Sequence, residues 1–231
     1  MGRVHPTTDG PDDGGRPADS PGTSRLQDAV RLLLLIDGAG EPLPDPLPPE
    51  APVGAVAVLR TQVALQKLDF WLRNPDYLAD TLLDRYEATG ETALLQEAER
   101  ILASDEPELR RYPMLRYRFG AYEPLDGAMS VLASAGLVVR RREGTADRTR
   151  QHNYYLTGRG RDVAGGIVDE APALVYYVER VQFLVALMAG LGGTELKDMQ
   201  YRQDEYANTP LDRLIAPITP RVRARLAGLT A

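Results

Sequence analysis

Apolar residues recur at helical spacing over most of this chain and at strand spacing in only a few short stretches. Residues 1–23 have no hydrophobic period and are rich in Gly, Pro, Asp, Ser and Thr, so they are expected to form a disordered tail. Ser24 caps an expected helix from Arg25 to Asp37, with Leu26, Val30, Leu33 and Leu34 along it and Gly38 just beyond its end. Residues 39–57 are proline-dense and read as a loop. A second helix is expected from Val58 to Arg73, where Val63, Leu65, Leu68, Phe70, Trp71 and Leu72 give a broad apolar face and Asn74-Pro75 supplies the stop. Two further helices, 76–87 and 92–103, are separated by Thr89-Gly90, and 105–113 is a polar break.

The period then shortens. Residues 115–119 read as a strand ended by Gly120, followed by a helix over 124–135 with Pro124 in its first turn. Leu125, Met129, Leu132 and Leu137 supply that helix with an inward face. Leu137-Val138-Val139 opens a strand, REGTADRTRQ forms a charged turn, and HNYYLT returns. A helix begins near Thr157 and breaks at Pro172. A long amphipathic helix follows over 174–191, with Leu174, Val175, Val178, Val181, Leu184, Val185 and Met188 at helical spacing, and short helices finish the chain. The expected class is mainly α with a small β-hairpin.

The segment FGAYEPLDGAMSVLASAGLV, with the charged hairpin and YYLTGRG after it, resembles winged-helix proteins. Many of these carry Y-x-x-G-x-Y, then a helix ending L-x-x-x-G-L-[IV], then a wing closing with Y-x-L-T-x-x-G. The upstream LRTQVALQKLDFWLR is similar to a helix of several prokaryotic winged-helix families, so the likeness extends from Leu26 to about Ala164. It implies a winged helix-turn-helix domain over 24–165 and a C-terminal helical extension over 166–231. LLLLIDG and LQKLDFWL also resemble the middle components of bacterial three-component defence systems built around an SMC-like ATPase, which implies a protein-binding adaptor.

Charge sharpens this picture. The net charge is −6, with acids in the tail and over 76–108 and arginines gathered between Arg110 and Arg161. Arg140, Arg141, Arg142, Arg148 and Arg150 lie on the expected wing, where guanidinium groups suit phosphate contact. Duplex DNA, held by its backbone, is therefore one expected partner. A solvated hairpin with local ion pairs, using Glu143 and Asp147, is the plain alternative. The 124–135 helix would enter the major groove, yet it offers Asp126, Gly127, Ser130 and Ser134 where base reading wants Arg, Lys, Asn or Gln. A protein partner therefore stays open beside DNA.

Other chemistry finds little support. With no cysteine and only His5 and His152, neither a thiolate nor a metal site is expected. LLLLIDGAGEP lacks the third glycine and the following helix of a dinucleotide loop. Lys67 and Asp69 read as helix-edge ion-pair residues, and the carboxylates over 87–108 have no pocket to pair them. No catalytic residue and no cofactor is expected. The tyrosines are expected to pack in the core with their hydroxyls outward. The 174–191 helix either packs back on the rest of the chain or serves a homodimer. No secretory signal or membrane span is apparent, so a cytoplasmic location is expected.

Overall fold

A computed structural model describes residues 24–111, 114–117, 120–122, 125–143, 151–189, 203–211 and 213–231. The expected tail, most of the charged turn, Arg148 and Arg150 lie outside the described residues. The molecule is mainly helical with a small antiparallel sheet.

Helix α1 (Arg25–Ala39) starts at a capping box in which Ser24 and Gln27 satisfy each other's backbone N–H groups. Its run Leu32 to Ile36 is buried on every side, as a helix apolar all round requires. It is the central helix of the molecule. The chain then forms β1 (Glu41–Pro42) and β2 (Ala55–Arg60), before α2 (Gln62–Arg73). The helix expected from Val58 therefore begins four residues later. Val58 and Leu59 lie in a strand, because Ala55 to Leu59 is a short apolar run that pairs with a strand a hundred residues further on.

Helices α3 (Pro75–Thr89) and α4 (Thr92–Ala103) form a hairpin closed by Gly90 at φ +71°, followed by the short α5 (Glu106–Leu109). A two-stranded ribbon, β3 (Leu115–Tyr117) and β4 (Gly120–Tyr122), leads to α6 (Asp126–Ser134). The strands β5 (Val138–Glu143) and β6 (Gln151–Thr157) then complete a four-stranded sheet in the order β1-β2-β6-β5. The expected hairpin is thus half of a larger sheet, and β5 is its edge.

Helix α7 (Gly158–Glu170), a 3-10 turn at Pro172–Leu174 and α8 (Val175–Leu187) follow, then α9 (Asp204–Asn208) and α10 (Thr219–Thr230). One buried cluster runs through α1, α2, α3, α4, α6 and β6 and on into α7, α8 and α10, where it includes Val181, Leu184, Ile218 and Val222. Among the described residues, no helix is long and apolar enough to cross a membrane.

Lys67 and Asp69, expected at a helix edge, are almost wholly buried. Asp69 accepts from Arg31 Nε at 2.7 Å, and Arg73 lies 3.4 Å away, so helices α1 and α2 are pinned by charge inside the core. Burial alone would push the Asp69 carboxyl up, but Arg31 and Arg73 together outweigh it and hold the group below the usual carboxylate range. C-terminal helix α10 is fastened to α3 in a similar way. Asp76 accepts from Ile218 N–H at 2.8 Å and from the Thr219 hydroxyl at 3.1 Å. Arg221 grips Asp80 with two bonds of 3.1 and 2.8 Å, and Arg225 reaches both Asp80 and Asp84 at 2.7 Å.

Candidate nucleic-acid interface

The arginines of β5 alternate across the sheet because successive strand residues point to opposite faces. Arg140 and Arg142 share the face that α6 covers, where Val138, Tyr154 and Leu156 enter the main core. Arg141 points to the other face, over the proline-rich loop, and donates to the Glu50 carbonyl at 3.2 Å. That second face has its own small cluster of Ala55, Val58 and Tyr155, flanked by Leu43, Ala51 and Val139. Only Arg140 and Arg142 among the described wing residues can act together on one side.

Arg140 is already engaged. It donates to Asp126 at the start of α6 at 2.7 Å, in a pair whose carboxylate is 79% exposed. An exposed pair of this kind contributes about 0–1 kcal/mol, so exchanging the carboxylate for a phosphate costs little. Arg142 stands opposite His152 in register and is exposed. Partial burial, then the charges of Arg140 and Arg142, lower the His152 pKa against the opposing pull of Asp126. His152 is a half-buried residue of β6.

The far end of β5 is tied down by side-chain bonds. Glu143 accepts from Asn153 Nδ2 at 2.5 Å and from the Tyr155 hydroxyl, while Asn153 Oδ1 accepts from Thr61 N–H at 3.2 Å. Burial, then the bond to Glu143, pushes the Tyr155 phenol up to about 12. Thr61 sits at φ +70°, a conformation that β-branched residues avoid, and its hydroxyl caps α2 through Ala64 N–H at 3.0 Å. The edge strand is thereby tied to the start of α2.

Helix α6 presents Asp126, Ser130, Ala133 and Ser134 to solvent. The Ser130 hydroxyl donates to the Asp126 carbonyl at 2.6 Å and that of Ser134 to the Val131 carbonyl at 3.0 Å, so both are turned onto their own helix. The exposed side chains of α6 therefore include none of the forked or long donors that read base edges.

One basic residue near this face escapes sequence reasoning. The exposed Arg25 runs alongside the first turn of α6, with Cδ 3.6 Å from where a Cβ on Gly127 would sit. A contact across a hundred residues leaves no local signal. The described surface thus sets Arg140 against Asp126, His152 beside Arg140 and Arg142, and Arg25 against the neighbouring Gly127. Arg161, exposed in the first turn of α7, is drawn to Asp37 at 3.4 Å.

No family model, curated protein or solved structure matches the chain.

Proposed function

We propose that the chain is a non-catalytic, DNA-associated regulatory protein with a winged helix-turn-helix fold. It would contact the duplex backbone through the wing without reading sequence. The element order supports the fold: helix, strand and helix (α1, β2, α2), then after an inserted helical hairpin a further helix and two strands (α6, β5, β6), with β2 pairing to β6. The observation that carries the function is the placing of Arg140 and Arg142 on an edge strand beside the start of α6, with Arg25 nearby. Planar, charged donors on an edge strand suit phosphate oxygens, and the absence of base-reading groups among the described residues of α6 suits indifference to sequence.

Fluorescence anisotropy with two unrelated duplexes tests this. Both should bind with similar affinity, falling steeply as salt rises. Replacing Arg140, Arg141 and Arg142 together by Ala should remove most of the binding, and Arg142→Ala alone should cost more than Arg141→Ala. Undiminished binding by the triple variant would sink the wing assignment.

A second reading, an adaptor in a bacterial defence complex with an SMC-like ATPase, is favoured by the same blank α6 face, which offers protein a smooth surface. Absence of salt-dependent DNA binding, with stable co-purification of the product of an adjacent gene, is the result that selects it.

A further inference from the structure

Asp126 stands in the first turn of α6, where the helix end favours an acid without any partner. Its carboxylate nevertheless leans across to β5 and accepts from Arg140 Nη1 at 2.7 Å, fourteen positions along the chain. The contact is one bond to one oxygen, and the side chains of Asp126 and Arg140 are 79% and 38% exposed, so the pair is open and exchangeable. Around it the described charges are positive. Arg142 lies on the same face of the sheet, with no acidic partner among the described residues. Arg25 runs beside Gly127, the next residue in sequence. His152 feels the charges of Arg140, Arg142 and Asp126 together. Glu143, the acid of β5, points to the other face, where Asn153 and Tyr155 bind it.

Taking the DNA-backbone reading as its ground, we propose that Asp126 is an internal competitor for the duplex: its carboxylate occupies Arg140 in the free protein, and a backbone phosphate must displace it. Carboxylate and phosphate oxygens draw on the same guanidinium donors, so the two anions contend for one group. Once displaced, the carboxylate stays beside the bound phosphate and repels it, an effect that salt screens. Both consequences lower the affinity of the face that Arg25, Arg140 and Arg142 share. The duplex is held loosely and released readily, as binding without sequence reading requires.

Fluorescence anisotropy of a labelled duplex with the full chain at low salt tests this. Asp126→Asn should bind about three- to tenfold more tightly than the wild type. Loss of a nearby negative charge acts whatever stands at position 140, whereas release of the guanidinium needs Arg140 itself. In the Arg140→Ala background the same substitution should therefore gain less than about twofold. Asp126→Gln, which keeps a good helix former at the position, should reproduce the gain, and thermal melts check that both variants keep the fold. Tighter binding by both variants that depends on Arg140 supports the competitor. Wild-type binding that Asp126→Asn leaves unchanged, or an equal gain in the two backgrounds, overturns this inference and leaves the DNA reading standing. Failure of the wild type and of Asp126→Asn alike to bind the duplex overturns both.

Discussion

At the residue scale, the most consequential group is one that local sequence disguises. Asp69 and Lys67 stand two apart in an apolar helix, a spacing that puts them on different sides and suggests ordinary helix-edge charges. The burial of Asp69 depends on Arg31, 38 positions earlier, entering the same space from α1. No local pattern announces such a partner. Removing the carboxylate by Asp69→Asn takes from Arg31 and Arg73 the buried anion they share, while Asp28 still accepts from Arg31 at 2.6 Å, and should cost about 3–5 kcal/mol in urea unfolding. The pH dependence has a definite sign. Because the folded carboxyl titrates below its unfolded value, its contribution is complete above the unfolded pKa and is lost as pH falls through the folded one. The wild type should therefore lose stability in acid more steeply than Asp69→Asn. A variant as stable as the wild type at neutral pH would remove Asp69 from the account.

At the element scale, legibility follows the number of independent signals. The first helix carries a cap, a period and a stop, and its expected start at Arg25 agrees with the structure. The hairpin is legible because Val138-Val139 and the Tyr-rich return strand flank a turn of Gly, Thr, Asp and Arg. Strand β2 is not, because a five-residue apolar run reads equally well as the first turn of the helix after it, and only distant pairing decides. The closing pattern T-x-x-G has a physical basis here. Thr157 caps α7 by accepting from Gly160 N–H at 2.9 Å, and its hydroxyl donates to the Gly136 carbonyl at 2.8 Å. Gly160 itself lies so close to β5 that an added Cβ would stand 2.2 Å from the Leu137 carbonyl oxygen. Gly160→Ala should destabilise by about 1–3 kcal/mol through overpacking. Gly165, in the same helix with open space around it, provides the control: Gly165→Ala should stabilise by about 0.5–1 kcal/mol. Thermal melts of the two variants should shift in opposite directions.

At the scale of the whole molecule, the arrangement is a sheet and helix set built from both halves of the chain, with an inserted helical hairpin clasped by the last helix. The acidic stretch over 76–108, read from sequence as a surface of one sign, is largely neutralised by arginines of α10 and by Arg180, which donates to Glu97 at 3.0 Å and Glu106 at 2.6 Å. Its charge belongs to internal assembly more than to an outside partner. Asp80→Asn should loosen α10 and lower stability by about 1–3 kcal/mol, with faster proteolysis after the arginines near the C-terminus. Unchanged cleavage would show that α10 is held by its apolar contacts alone. The clasp also has a consequence for synthesis. Asp80 finds Arg225 across 145 positions, so at about 5–20 residues per second a nascent chain carries that carboxylate uncompensated for roughly 7–30 s. Over that interval the helical hairpin waits, half-built, for the last helix to be made.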